Sequence, residues 1–379
     1  MAYFLMMTVP EPSDDFAMIP HLPTNVADSI ASNLSAPQHR PRPLPLFLDM
    51  LRNETAAQPV RMRSALAGLK AYQAAPRPAR PPAPPTIARF GRVTLRSYGA
   101  GGHPVLFVPS LINGSEILDL TSENSMLRGL AAQGVNPVLL DWGSPDATER
   151  ELSIGGHAES YIVPALEMLG KDTVLAGYCL GGTMSIAAAM LHPPKALVLL
   201  ATPWDFAGFS SQARNDILEL WRAAQPAAEA FGLLPAEVLQ QIFWRIDPAR
   251  TVAKFGHFAS KNPASVEGQN YVAVEDWAND GPPLTLAAGR ELMDTLMAQN
   301  ASGVGAWTAG GGVVDPKLLR MPILNIVSTT DRITPAASSW PGGERIELAE
   351  GHVGMVVGRK APGSLWRSLA SWLSQLRNS

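Results

Sequence analysis

Val174-Leu-Ala-Gly-Tyr-Cys-Leu-Gly-Gly182 is the stretch that decides the fold. An apolar strand runs into Gly-x-Cys-x-Gly-Gly, and a helix of small residues follows from Thr183 to Met190. A strand that turns sharply into a helix strains the backbone at the turn and brings the helix close to the sheet, and glycine relieves both constraints. Only the middle residue, Cys179, then presents a side chain to the cleft. It is the only cysteine in the chain. A buried, inert cysteine is the bland alternative, but an inert core position has no need of the glycines.

Working outward, short apolar strands alternate with helices on both sides of this turn. Strands are expected at 93–98, 105–108, 137–141, 173–176, 196–201, 323–327 and 344–348. Helices are expected at 122–133, 156–169, 180–191 and 363–376. Continuous apolar strands between helices indicate a parallel sheet covered on both faces. From Trp204 to about Leu319 the alternation stops, and the sequence reads as helical with Trp221, Trp244, Trp277 and Trp307. The expected organisation is therefore an amino-terminal arm (1–85), a first core part (86–203), a cap inserted over the site (204–319) and a second core part (320–379). Within the arm, residues 1 to about 40 lack periodicity. Apolar spacing over Pro43–Tyr72 suggests two amphipathic helices, and six prolines in the ten residues Pro76–Pro85 suggest an extended linker.

A cysteine nucleophile needs a base, and the base needs an orienting group. Two later loops supply them, each following an expected strand. Asp331 lies in Ser328-Thr-Thr-Asp-Arg-Ile-Thr-Pro335 and His352 in Glu350-Gly-His-Val-Gly354. Catalytic groups of open parallel sheets gather at the carboxyl ends of strands. A strand–nucleophile–helix elbow with the order nucleophile, acid, histidine is the arrangement of α/β-hydrolases. The fold class is thus α/β, an α/β-hydrolase fold with a mostly parallel sheet, helices on both faces and an inserted helical cap. His157 is the one serious rival to His352, and Asp141 is the alternative to Asp331. The oxyanion donors expected are the backbone N–H of Leu180, at the positive end of the elbow helix, and that of Leu111 in Pro109-Ser-Leu-Ile-Asn-Gly114.

Composition excludes several classes. A net charge of −3 gives no electrostatic case for nucleic acid or an anionic membrane. No apolar run reaches the roughly 20 residues of a spanning helix. One cysteine excludes an intrachain disulfide and fits a reducing, cytoplasmic setting. No His/Cys cluster has metal-ligand spacing, and Gly310-Gly-Gly312 does not follow a strand, which argues against a phosphate cradle. Arg332 has two readings, contact with a coenzyme A phosphate or an ordinary salt bridge.

With these residues in hand, the chain resembles the polyhydroxyalkanoate (PHA) synthases, and among them the shorter, two-component enzymes. Gly177-Tyr-Cys-Leu-Gly-Gly-Thr183 is similar to their cysteine-containing lipase box. Ile117-Leu-Asp-Leu120, Glu123-Asn-Ser-Met-Leu127 and Asp141-Trp-Gly-Ser-Pro-Asp146 resemble the segments before it. Met321-Pro-Ile-Leu-Asn-Ile326 with Asp331, and Gly351-His-Val-Gly354, resemble the segments that carry the family's Asp and His. The cap stretch Val274-Glu-Asp-Trp277 and the segment Gly311-Gly-Val-Val-Asp315 resemble the shorter, two-component enzymes. The resemblance covers roughly residues 90 to 379; Arg332 stands where the family usually has histidine.

The resemblance implies an acyltransferase that polymerises (R)-3-hydroxyacyl-CoA with release of CoA. Cys179 would hold the acyl chain as a thioester and His352 would deprotonate the thiol. Asp331 would support His352 or help activate the 3-hydroxyl. No cofactor is implied beyond the CoA thioester as substrate. A homodimer, a second synthase subunit and a PHA granule surface are the partners it suggests; the plainest expectation for the arm is docking on the chain's own core. The competing readings are a cysteine-dependent hydrolase (thioesterase, esterase or PHA depolymerase) and a non-catalytic granule or scaffold protein.

Overall fold

Continuous apolar strands with no polar face can be satisfied only inside a sheet covered on both sides, and that is how the chain is arranged. In the computed structural model, which describes residues 39–99 and 101–376, an eight-stranded sheet forms the centre. Its strands are β1 (Thr86–Phe90), β2 (Val93–Ser97), β3 (Pro104–Val108), β4 (Asn136–Asp141), β5 (Val174–Tyr178), β6 (Ala196–Leu200), β7 (Ile323–Ser328) and β8 (Glu344–Leu348). The spatial order is β1-β2-β4-β3-β5-β6-β7-β8. β1 and β2, and β2 and β4, pair antiparallel; every other pair is parallel. This is the strand order of the α/β-hydrolase fold. β5 and β6 are buried along their whole length.

The helices in chain order are α1 (Leu44–Glu54), α2 (Pro59–Ala74), α3 (Met126–Ala132), α4 (Ile154–His157), α5 (Val163–Leu169), α6 (Leu180–Leu191), α7 (Ser211–Phe231), α8 (Ala236–Ile246), α9 (Pro248–Phe258), α10 (Val266–Asn279), α11 (Leu286–Arg290), α12 (Gly354–Val357) and α13 (Leu365–Gln375). A π-helical turn, Ala158–Ile162, joins α4 to α5, and a longer one, Glu291–Ala298, continues α11. One apolar cluster packs α6 and the insertion against one sheet face; a second packs α3 and α13 against the other. Among the described residues no helix is long and apolar enough to cross a membrane.

Each expected strand forms within two residues of its expected bounds at either end, and β1 is an addition. Its Thr-Ile-Ala-Arg-Phe sequence carries an arginine and lies at the sheet edge, largely exposed, so the apolar signal is missing there. The helix expected from Ser122 begins at Met126, because Asp119–Thr121 and Asn124–Ser125 first form a short antiparallel pair. Ser125 then caps α3, accepting from the Arg128 N–H. The helix expected from Gly156 starts at Ile154, where Ser153 accepts from the Gly156 N–H. Between β6 and β7 the expected helices are α7 to α11. Gly310 and Gly311, both at positive φ, turn a small hairpin between Thr308–Ala309 and Gly312–Val313.

Residues 1–38, where the irregular arm is expected, lie outside the described residues. The two arm helices, α1 and α2, pack on the insertion through a third apolar cluster. Phe47, Leu51, Leu69 and Tyr72 meet Trp244, Phe255 and Phe258 there. A side chain at Gly68 would collide with the Phe255 carbonyl, so glycine is what permits α2 and α9 to cross backbone to backbone. The expected docking on the core is thus docking on the helices inserted into it. The proline-rich stretch that follows, residues 76–85, has no regular structure.

Candidate active site

The elbow explains its own sequence. Cys179 has φ +56° and ψ −129°, a conformation unfavourable for any residue with a Cβ. It is held by its N–H donating to the Leu200 carbonyl at 2.9 Å and its carbonyl accepting from Gly182 at 2.9 Å. A Cβ on Gly177 would meet the backbone of Gly181 and Gly182. One on Gly181 would meet the carbonyls of Val108 and Pro109, and one on Gly182 the side chain of Thr202. The three glycines therefore let α6 start directly against β5 and β3, with Cys179 at its mouth.

β7 and β8 run parallel to β5 and end on the same side. The loops after them carry Asp331 and His352 to the same cavity as Cys179. The His352 Nδ1 lies 2.6 Å from Asp331 Oδ2. Cys179 lines that cavity together with the imidazole. With Nδ1 turned to the carboxylate, Nε2 is the ring nitrogen left for the sulfur.

Asp331 is more fully engaged than an orienting group requires. Its Oδ1 accepts from the backbone N–H of Ile333 (2.8 Å) and of Thr334 (3.0 Å), and its Oδ2 from the Thr334 hydroxyl (2.7 Å) as well as from His352. Its side chain has no exposed surface (0%). Burial works against the charged carboxylate, but the neighbouring imidazolium and these donors outweigh it and hold the pKa below the ordinary 3.8. Burial likewise opposes charge on His352. The Asp331 carboxylate, and after it Cys179, more than offset this and raise its pKa from 6.5 to about 10.

Two neighbours escaped the sequence reading. The Thr334 hydroxyl sits 3.1 Å from His352 Nδ1 while donating to Asp331. Tyr178 stacks on the His352 ring, centroids 5.0 Å apart and planes at 26°, and its hydroxyl donates to the His352 carbonyl at 3.2 Å. Burial, then the charges of Cys179 and Asp331, raise the Tyr178 pKa well above 10, so it stays a donor. Thr334 was within reach of the sequence, as the hydroxyl three residues after an aspartate in a turn. Nothing in the sequence announces the Tyr178 stack.

The rivals are elsewhere occupied. His157 is buried, bonded to the Ser153 carbonyl (2.7 Å) and against Arg92 (2.8 Å). Burial lowers its pKa to about 4; the bond to Ser153 opposes this, Arg92 lowers it further, and Glu149 raises it least. Asp141 pairs with Arg96 at 3.1 Å and accepts from Ser115. Of the two readings for Arg332, the salt bridge is present: it meets Asp247 at 2.8 Å.

The cavity itself measures about 440 Å³. Leu180 lines it, as do Pro109, Ser110, Ile112, Asn113 and Gly114; the Leu111 side chain is buried in the core behind that loop. Ile112 N–H donates to Ser110 Oγ. Leu180 opens α6, where N–H groups have no partner within the helix. Trp277 closes the loop from the insertion side, its indole N–H donating to the Gly114 carbonyl at 2.7 Å. Trp221, Trp244 and Trp307 are buried.

No protein-family model matches the chain. Among curated proteins it is 32% identical over 295 residues to the poly(3-hydroxyalkanoate) polymerase subunit PhaC of Haloferax mediterranei, covering 72% of this chain and 58% of that one. It is 28% identical over 293 residues to the protein of the same name from Haloarcula marismortui, with 72% and 61% covered. With that of Allochromatium vinosum the identity is 28% over 291 residues, with 72% and 81% covered. The chain thus spans about three fifths of the length of the two archaeal relatives. Among solved structures, a thermophilic esterase from Thermogutta terrifontis aligns with a TM-score of 0.49 at 15% identity, covering 79% of this chain and 99% of that one. By sequence the chain is a relative of the PHA polymerase subunits.

Proposed function

We propose that the chain is an acyltransferase of the PHA synthase type, acting on (R)-3-hydroxyacyl-CoA through a thioester on Cys179. The observation that carries this reading is a single cysteine on a strained elbow, beside an imidazole that is itself bonded to a saturated carboxylate. Its relationship to the PHA polymerase subunits supplies the substrate class.

In this reading the Cys179 proton rests on His352, and the thiolate attacks the carbonyl carbon of the CoA thioester. The sulfur–carbon bond to the enzyme forms, the one to CoA breaks, and the imidazolium returns its proton to the departing CoA thiolate. The next 3-hydroxyl attacks the enzyme thioester, with His352 receiving its proton, and an ester forms as Cys179 is released. The backbone N–H groups of Leu180 and Leu111 are assigned to the oxyanion.

Asp331 has two roles open to it, and its bonding favours one. A carboxylate whose oxygens already accept four donors, and which has no exposed surface, is poorly placed to take a proton from a substrate hydroxyl. Asp331 therefore orients His352 and stabilises its charge, and His352 is the base in both half-reactions.

Residues 204–319 act in this reading as a cap that keeps water from the thioester and favours the hydroxyl over hydrolysis, between core parts 86–203 and 320–379, with 1–85 as an arm braced on the cap. No cofactor is required. A second subunit, a second copy of the chain and a granule surface are its expected partners. The test is CoA release from (R)-3-hydroxybutyryl-CoA and longer homologues by wild type and Cys179→Ala, followed by mass analysis of the acyl product. Cys179-dependent release giving oligomers is the expected result. Cys179-dependent release giving only monomeric acid makes the chain a hydrolase, and release unchanged in Cys179→Ala removes Cys179 from the chemistry.

A further inference from the structure

The lining of the cavity around Cys179 includes two unlike groups of residues. One is charged: Asp247, Arg250, Lys254, Glu275 and Arg332, with Lys254 and Glu275 paired at 2.8 Å. The other is an apolar wall made by the segments 203–217 and 292–297: after Pro203, it holds Phe206, Phe209, Ile217, Leu292, Met293 and Met297. The second segment lies in the π-helical stretch Glu291–Ala298, a helix form often found at functional sites.

We infer that this apolar wall receives the alkyl substituent of the acyl group, and that the preferred donors are medium-chain 3-hydroxyacyl thioesters rather than the four-carbon one. The inference rests on the acyltransferase reading and names the substrate class for it. A 3-hydroxybutyryl group carries a single methyl beyond its hydroxyl-bearing carbon. That methyl covers little of a wall made of two phenylalanines, two methionines, a leucine and an isoleucine, in a cavity of about 440 Å³, a volume within the range of pockets for much larger ligands. A polyester segment suits the wall less well than an alkyl chain does. Its ester carbonyls recur every few atoms and want donors, and these two segments turn none of their polar side chains into the cavity. Methionines adapt their shape to the chain that enters, so the profile should be broad at the long end. The charged residues of the lining suit the polar CoA portion and leave the apolar wall to the substituent.

Each methylene moved from water onto an apolar wall strengthens binding about fourfold. The experiment measures kcat/KM for CoA release across (R)-3-hydroxyacyl-CoA donors of increasing chain length, from the four-carbon donor upward. It does so for wild type and for Met293→Trp, which fills the apolar side. In parallel, the Cys179→Ala protein, unable to turn over, is titrated calorimetrically with the same donors. The expected result is a rise of at least about tenfold from the four-carbon to the eight-carbon donor, in both kcat/KM and affinity. Met293→Trp should lower the ratio of the eight-carbon to the four-carbon donor about tenfold or more. A flat or falling profile in both readouts overturns the inference whether or not Met293→Trp folds, and so does an absence of binding by every donor. Affinity that rises with chain length without turnover of any donor upholds the wall's role and removes the acyltransferase reading instead.

Discussion

The two sides of the site achieve order in different ways. On the sheet side, each chemically active atom is fixed by short directed contacts: four donors on Asp331, a 2.6 Å bond to His352, a tyrosine stacked on the imidazole, and glycines that seat α6 against β3 and β5. On the insertion side, order comes mainly from aromatic and aliphatic packing, with directed bonds such as Lys254–Glu275 and Trp277–Gly114 where it borders the cavity. The first construction fixes geometry to within a fraction of an ångström and tolerates little change. The second fixes a volume and tolerates substitution that keeps it filled. Chemistry should therefore fail through changes on the sheet side, and stability or substrate range through changes on the insertion side.

The sharpest break is Cys179→Ala. It should lower CoA release at least about a thousandfold while leaving the melting temperature within a few degrees, as followed by thiol assay and thermal melt. Next comes Asp331→Asn, which keeps the size of the side chain but loses the charge that favours imidazolium. A loss of about a hundredfold or more in kcat is expected, and an unchanged kcat would detach Asp331 from the site.

On the other side of the comparison, Phe47→Ala removes a fully buried ring between α1 and α9. It should cost about 3 kcal/mol in denaturant unfolding and leave kcat/KM within about twofold. A large kinetic loss would show that the arm helps shape the cavity. Arg332→Ala should be smallest of all, within about 0.5 kcal/mol in stability, since its partner Asp247 retains the Arg250 N–H.

Acidity offers a further way to separate the two regions. His352 is raised to about 10, so its stabilising contribution is complete below the free value of 6.5 and is lost as pH climbs towards 10. Asp331 is depressed below 3.8, so its contribution is complete above 3.8 and disappears as pH falls beneath that value. The stability difference between wild type and Asp331→Asn should be greatest between about pH 4 and 6.5 and shrink on both sides. Phe47→Ala should show no such window.

Why the sequence disclosed one side better than the other follows from the same difference. A strained elbow demands glycine at fixed places, and a strand followed by a polar loop marks where Asp331 and His352 fall. Parallel-sheet strands are short apolar runs and were readable nearly to the residue. Edge strand β1 was not, because half-exposed strands mix arginine with apolar residues. Within the insertion the helices could be expected, but not which residues face the cavity. Ile217 and Met293 come from separate segments, and only the folded chain brings both to the cavity lining. Tyr178 is similar: its neighbour Cys179 was conspicuous, whereas the stack depends on a loop far away in sequence.

The glycine contact between α2 and α9 has a mechanical consequence. α9 presents Arg250, Thr251 and Lys254 to the cavity, while Gly68 of α2 bears on its backbone at Phe255. The charged wall is thus a beam propped from behind, and its stiffness depends on the prop as much as on its own helix. An added methyl at Gly68 would act as a shim, tilting α9 and moving three cavity side chains together without touching any of them.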